Sequence, residues 1–416
     1  MNKLLTFLFV LTFATVATAQ VAMKVNHPAE LPWNPLTSGT GGNLNTVRFI
    51  GADTGYVAGE GGVMLKTTNG GASWSQLFTG TSMPLMSICF TDAMHGFAAG
   101  IDPSAAYGGF ILKTTDGGAT WTTPLASGSR YGLYDICFPV PDTGYAVGMF
   151  GTILKSTNSG ATWSLLPVTT SSGLSGVLFT SANTGYAAGD MGTILKTTNG
   201  GQSWVKLTTG TTNGLLSLYF TDATTGYASG VFGTVIKTVN AGLTWSLLQK
   251  VTDNHLWSVC FVNSTTGFTA GDGGTILKTN DAGVTWVSSP SGTTEVLESL
   301  SFADATVGYV CGNSGIILKT TNGGMVDINE FPPPARLSLF PNPATNEFIV
   351  TIPTELLNEK QLTLRLYNSR GELIHNEPVI PAKGKITINI EAYAKGLYQV
   401  SLGNGRKWYA GKVVIE

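Results

Sequence analysis

The chain is poor in charge. Only 12% of its 416 residues are Asp, Glu, Lys or Arg, and the formal net charge is −2. No basic stripe is available for a phosphate backbone, so nucleic acid is not an expected partner. Cysteine is scarce too, with four residues, Cys89, Cys137, Cys260 and Cys311. The first three hold one equivalent place in a repeat, pointing around the molecule rather than at one another. They read as small buried thiols, not a disulfide framework. Cys260 with Cys311 is the adjacent-repeat pair to inspect. The four histidines (His27, His95, His255, His375) lack ligand spacing, so no metal site and no cofactor is legible. Beyond residue 20 no apolar run reaches transmembrane length. Before it, Lys3, an apolar stretch over residues 4–16 and Ala17-Thr18-Ala19 ahead of Gln20 read as a secretory signal peptide, residues 1–19.

Glycine, by contrast, is abundant, with 53 residues. It marks a repeat whose clearest copy is Gly185–Leu207, GYAAGDMGTILKTTNGGQSWVKL. Trp74, Trp121, Trp163, Trp204, Trp245 and Trp286 are spaced 47, 42, 41, 41 and 41 residues apart. Gly-aromatic pairs keep step at Gly55, Gly96, Gly144, Gly185, Gly226, Gly267 and Gly308. A phenylalanine stands six residues before each pair, and a Val, Ile or Leu two residues earlier again. Spacing by two is a strand period. Each unit therefore reads as four short strands, and a period near 40 residues predicts a β-propeller.

The turn before each Trp has its own chemistry. Asn69, Asp116, Asn158, Asn199, Asn240 or Asp281 can accept backbone N–H bonds there. The glycine two residues on is expected at positive φ. The seventh copy lacks its Trp, with Asp327 in that place. Trp33 lies 41 residues before Trp74, one repeat period. The segment around Trp33 is thus expected to supply the outer strand of the last unit and close a ring of seven. Seven of the ten lysines in residues 20–327 end the third strand of a repeat, which predicts a scaffold role.

The turn with its Trp resembles the Asp-box (BNR) repeat of sialidases, the sortilin ectodomain and xyloglucan-degrading glycoside hydrolases. The whole repeat, over about residues 33–327, is most similar to photosystem II assembly-factor-like propellers. Sialidase chemistry needs three convergent arginines, and residues 20–327 hold only Arg48 and Arg130, so that activity is excluded. The assembly-factor relatives are protein-binding chaperones of photosynthetic membranes. The resemblance carries the fold across, not that partner.

After the seventh copy the composition changes. Residues 328–336, with Pro332-Pro333-Pro334, read as a stiff linker. Residues 337–416 show alternating strands that fit a small Ig-like β-sandwich. Their motifs are Leu339-Phe340-Pro341-Asn342-Pro343-Ala344, then Leu366-Tyr367-Asn368-Ser369-Arg370-Gly371, Ala394-Lys395-Gly396-Leu397-Tyr398 and Lys412-Val413-Val414-Ile415-Glu416. This tail resembles the type A C-terminal sorting domain of type IX secretion, found in Bacteroidetes. The resemblance implies passage through the periplasm to the cell surface or medium, and the secretion machinery as a partner.

The expected fold is all-β: a seven-bladed propeller over residues 20–327, then the sandwich. Recognition is expected on the face shared by the second-to-third-strand turns and the loops leaving the fourth strands. The longest departure from the repeat, Ile101–Tyr107, lies there. Candidate ligand-binding residues are Tyr107, Arg130, Tyr131, Tyr134, His255, Trp257, Glu295 and Glu298. Glu60, Asp190 and Asp272 share one turn place and read as turn chemistry, and Glu295 and Glu298 as solvated members of one loop. No catalytic residue is assigned. A surface binding protein for a protein or polysaccharide is the expected function. A polysaccharide hydrolase using paired carboxylates and an envelope assembly factor are the alternatives.

Overall fold

The computed structural model describes residues 31–104, 108–129, 131–167, 170–325, 337–368, 373–381, 384–404 and 408–416. The leader, the linker, Tyr107, Arg130, Asp327 and Gly371 lie outside these.

The repeats fold into seven four-stranded antiparallel sheets among the described residues. They are numbered here 1–7 by the order of their first strands, which begin at Leu44, Leu85, Leu133, Leu174, Leu215, Leu256 and Leu297. Sheet 4 is typical: Leu174–Phe179, Gly185–Gly189, Thr193–Thr197 and Val205–Leu207 pair in that order. First strands of successive sheets touch one another, and so do those of sheets 7 and 1. They form the inner wall of a propeller.

Sheet 7 takes its fourth strand from the other end of the repeat region. Asn34–Leu36 pairs antiparallel with Ile317–Thr320, placing Asn34 opposite Lys319. Trp33 is fully buried, edge-on to the stacked rings of Phe268 and Phe302. Its indole N–H donates to Ser289 Oγ at 3.1 Å, and that hydroxyl donates to Gly324 C=O at 2.8 Å.

The turn chemistry follows the sequence. Asn199 Oδ1 accepts from the Ser203 N–H (3.0 Å) and from Thr197 Oγ1 (2.9 Å), while Gly201 sits at φ +80°. Asn69, Asp116, Asn158, Asn240 and Asp281 accept the corresponding backbone N–H. The Trp packs further than its own hairpin: Trp204 meets Phe179 of its own sheet edge-on and shares a core with Tyr145 and Val147 of sheet 3.

The repeat lysines join neighbouring sheets. Lys196 donates to Ala241 C=O of the next turn at 2.7 Å, beside a 2.9 Å bond from Tyr186. The same bridge runs from Lys66, Lys113, Lys155, Lys237 and Lys278. Lys319 and Tyr309 complete the circle, both donating to Gly70 C=O of sheet 1. A lysine satisfied by a backbone carbonyl contributes about 1.5–3 kcal/mol. All four thiols are free, and burial pushes Cys89 and Cys137 up. Repulsion from Asp135 and from Cys89 of sheet 2 adds to the effect of burial at Cys137.

In the tail, a three-stranded sheet (Ser338–Phe340, Glu347–Thr351, Lys385–Asn389) and a four-stranded one (Leu373–Val379, Leu362–Tyr367, Gly396–Gly403, Trp408–Ile415) enclose one hydrophobic core. The distant motifs meet there. Asn342, between Pro341 and Pro343, donates to Lys412 C=O at 2.8 Å and accepts from the Val414 N–H at 2.9 Å. Gly396 opens the strand that pairs with Ile415.

Candidate functional site

The inner wall carries the site. Each first strand opens with a fully buried leucine, and in every sheet the register slips just after it. Such a bulge re-aims a side chain. Here the residue after the leucine turns into the central channel, a cavity of about 830 Å³. Those residues are Asn45, Met86, Tyr134, Ser175, Leu216, Trp257 and Glu298. The leucine is the same in all seven repeats, and its successor is different in all seven. Packing dictates the first and does not dictate the second.

The next position serves the wall itself. Ser217, Ser258 and Ser299 each accept a backbone N–H from the neighbouring first strand, those of Val259, Leu300 and Val47. In sheet 3 the position is Asp135, which accepts from Val177 N–H and Ser87 Oγ at 2.8 and 2.7 Å. Burial raises its pKa, opposed by these bonds, by the Ile136 N–H and by Arg48.

Turns between second and third strands rim one mouth of the channel. Thr79, Thr209 and Ser291, from loops leaving fourth strands, bond to the turn carbonyls of Gly62, Gly192 and Gly274. The two sets of loops thus share a face, as expected. Backbone bonds close the turns, Val63 N–H to Glu60 C=O and Thr275 N–H to Asp272 C=O. The Asp272 carboxylate does not serve its turn: it accepts the Trp257 indole N–H at 2.7 Å.

Of the sequence candidates, four gather around sheets 5–7. His255 Nδ1 accepts the Phe232 N–H at 3.2 Å, its ring lies edge-on to Phe232 at 5.2 Å, and Asp272 is 4.0 Å away. Trp257 stands beside it, with ring centroids 6.2 Å apart. Glu295 accepts from Ser314 Oγ at 3.1 Å, on the rim. Glu298 is not a loop residue: it belongs to the strand Leu297–Phe302 and is half-buried in the channel. Burial, then repulsion from Asp272 and Glu60, pushes its carboxyl up to about 7. Tyr131 and Tyr134 lie across the ring, Tyr131 against Phe150 at 4.7 Å and Tyr134 in the channel wall. Tyr107 and Arg130 fall outside the described residues. Asn45, Met86, Ser175 and Leu216 were not anticipated, although their place after the constant leucine could have marked them.

Residues 338–416 match the secretion system C-terminal sorting domain family. Residues 128–213 and 237–329 match the photosynthesis system II assembly factor YCF48 family. No curated protein matches the chain. Among solved structures, YCF48 bound to D1 peptide is 20% identical with a TM-score of 0.59, over 70% of this chain and 98% of that one. YCF48 from Cyanidioschyzon merolae is 21% identical with a TM-score of 0.58, over 69% of this chain and 98% of that one. The WD40 β-propeller domain of Doa1 is 11% identical with a TM-score of 0.58, over 68% and 94%. At these identities the likeness concerns the fold.

Proposed function

We propose, from the premise that the chain joins a YCF48-like propeller to a type IX secretion sorting domain, that it is an exported binding protein reading its ligand at the channel mouth. The sorting domain makes it a secreted or cell-surface protein. Residues 1–19 are a leader, residues 20–327 a seven-bladed ring closed by Asn34–Leu36, residues 328–336 a linker and residues 337–416 an Ig-like sandwich. The observation that carries the binding role is the constant leucine followed by seven different channel residues. A rigid, repeated frame with non-repeated side chains turned into one cavity suits recognition. The ligand is a polypeptide, a reading supported by the peptide-bound state of one propeller of this fold.

The test uses the full chain on paired peptide and glycan arrays. Peptide binding that Trp257→Leu or Leu216→Ser abolishes supports the reading. Peptide binding indifferent to both would overturn it. A second reading rests on Glu298, a carboxyl held near neutrality beside Asp272 and Glu60, which suits the general acid of a glycosidase. It predicts reducing-end release from a neutral polysaccharide that Glu298→Gln eliminates.

A further inference from the structure

The rim divides into two arcs of different chemistry. The middle residue of the second-to-third-strand turn has positive φ in each of these repeats: Gly61 (+66°) and Gly273 (+61°) in sheets 1 and 6, Ser314 (+57°) in sheet 7. In the consecutive sheets 3, 4 and 5 the same place holds Phe150 (+52°), Met191 (+53°) and Phe232 (+55°). A left-handed conformation costs an L-residue about 1–2 kcal/mol, and bulky residues are rare in it. These three do not recover that cost by burial, being 62%, 75% and 55% exposed. Strain in exposed apolar side chains, repeated at three adjacent equivalent places, marks a contact surface. Between Phe150 and Met191 runs a crevice of about 390 Å³, walled by Tyr134 and Asp190.

The other arc is acidic. Asp272 of sheet 6, Glu295 of sheet 7 and Glu60 of sheet 1 follow one another round the rim, with Glu298 of sheet 7 in the channel wall beside them. Among the described residues, Lys250 is paired with Asp253, Lys206 lies beyond Met191, and Arg48 acts on Asp135 of the channel wall.

We propose that this face docks an extended segment of a second protein in which an aromatic or branched apolar side chain stands near a lysine or arginine. The apolar group seats between Phe150, Met191 and Phe232, and the cation faces Glu60, Asp272 and Glu298. The proposal rests on the channel-mouth reading above and adds the ligand's chemistry to it. Charge complementarity selects the partner: the acidic arc repels anionic lipid and uronate-rich polysaccharide, and attracts a cationic segment. Projecting Phe and Met side chains beside a crevice bury apolar area, and an apolar anchor in a pocket is how peptide segments gain affinity.

The probe is an immobilised decapeptide library of balanced composition, presented to the full chain. The expected selection is for Phe, Trp, Leu or Ile near Lys or Arg, weakened by added salt. The selected peptides should bind Phe150→Gly/Phe232→Gly at least tenfold more weakly. That variant installs the residue the backbone favours, as in sheets 1 and 6, so its unfolding midpoint should equal or exceed the parent's and a folding defect will not mimic the loss. Selection of acidic or uncharged peptides, or undiminished binding to the double variant, would overturn the proposal. If those same peptides still lose binding on Trp257→Leu, the channel-mouth reading stands without it. If neither variant matters, both fail.

Discussion

Removing the charge of Glu298 should stabilise the protein, and only above a certain pH. Its carboxyl sits at about 7 in the folded chain against an ordinary 4.5, with burial the largest cause and Asp272 and Glu60 next. The folded state therefore holds a proton that the unfolded state has released between these values. Stability falls as pH rises through that window, because there the unfolded state binds fewer protons. Each tenfold change in proton affinity corresponds to about 1.4 kcal/mol, so the full difference comes to about 3 kcal/mol. Water in the channel screens the group and reduces this to about 1–2 kcal/mol. Glu298→Gln keeps the shape and removes the titration. Urea unfolding of both proteins at pH 4.5 and pH 8 is the assay. The variant should equal the parent at pH 4.5 and exceed it by about 1–2 kcal/mol at pH 8. Equal stability at both pH values, or a gain of the same size at both, would refute the reasoning. A gain confined to high pH would mean that the channel holds a carboxylate at the expense of stability, as sites of recognition or catalysis do.

Two further predictions concern the ring. Ser289→Ala removes the hydroxyl between the Trp33 indole and Gly324 C=O and should cost about 1–3 kcal/mol by leaving a buried donor unpaired, read from the urea midpoint. Lys319→Met and Lys196→Met should cost the same, about 1.5–3 kcal/mol each, because both lysines bridge adjacent sheets. A silent Lys319→Met beside a costly Lys196→Met would mean that sheets 7 and 1 do not meet.

Much of the fold was legible because the repeat is a local code. The Asn or Asp of each turn, the positive-φ glycine after it and the strand-period aromatics act within a dozen residues. The displaced Trp33 was legible by counting alone. The channel was harder to read. The bulge after each constant leucine adds a residue and breaks strict alternation, so Glu298 resembled a loop residue and nothing in the alternation singled out Met86 or Leu216. Contacts between sheets were also hidden. Ser289 stands where the other copies carry mostly leucine (Leu36, Leu77, Leu166, Leu207 and Leu248), and its hydroxyl joins the Trp33 indole to Gly324 C=O, a contact between segments far apart in the chain. The apolar arc is not legible in the sequence, because only the positive φ and the exposure of Phe150, Met191 and Phe232 set them apart from core residues.

The placement of the whole recognition face depends on the ring being shut by its first strand. Asn34 and Lys319 lie directly opposite in that pairing, where Cα atoms about 4.5–5.5 Å apart meet the requirement of a disulfide. The full chain carrying Asn34→Cys and Lys319→Cys, oxidised, digested and mapped by mass spectrometry, should yield one peptide joining positions 34 and 319, and a raised unfolding midpoint that returns to the reduced value with thiol. Two cysteines that stay separately alkylatable under the same oxidation would contradict the closed ring and the site built on it.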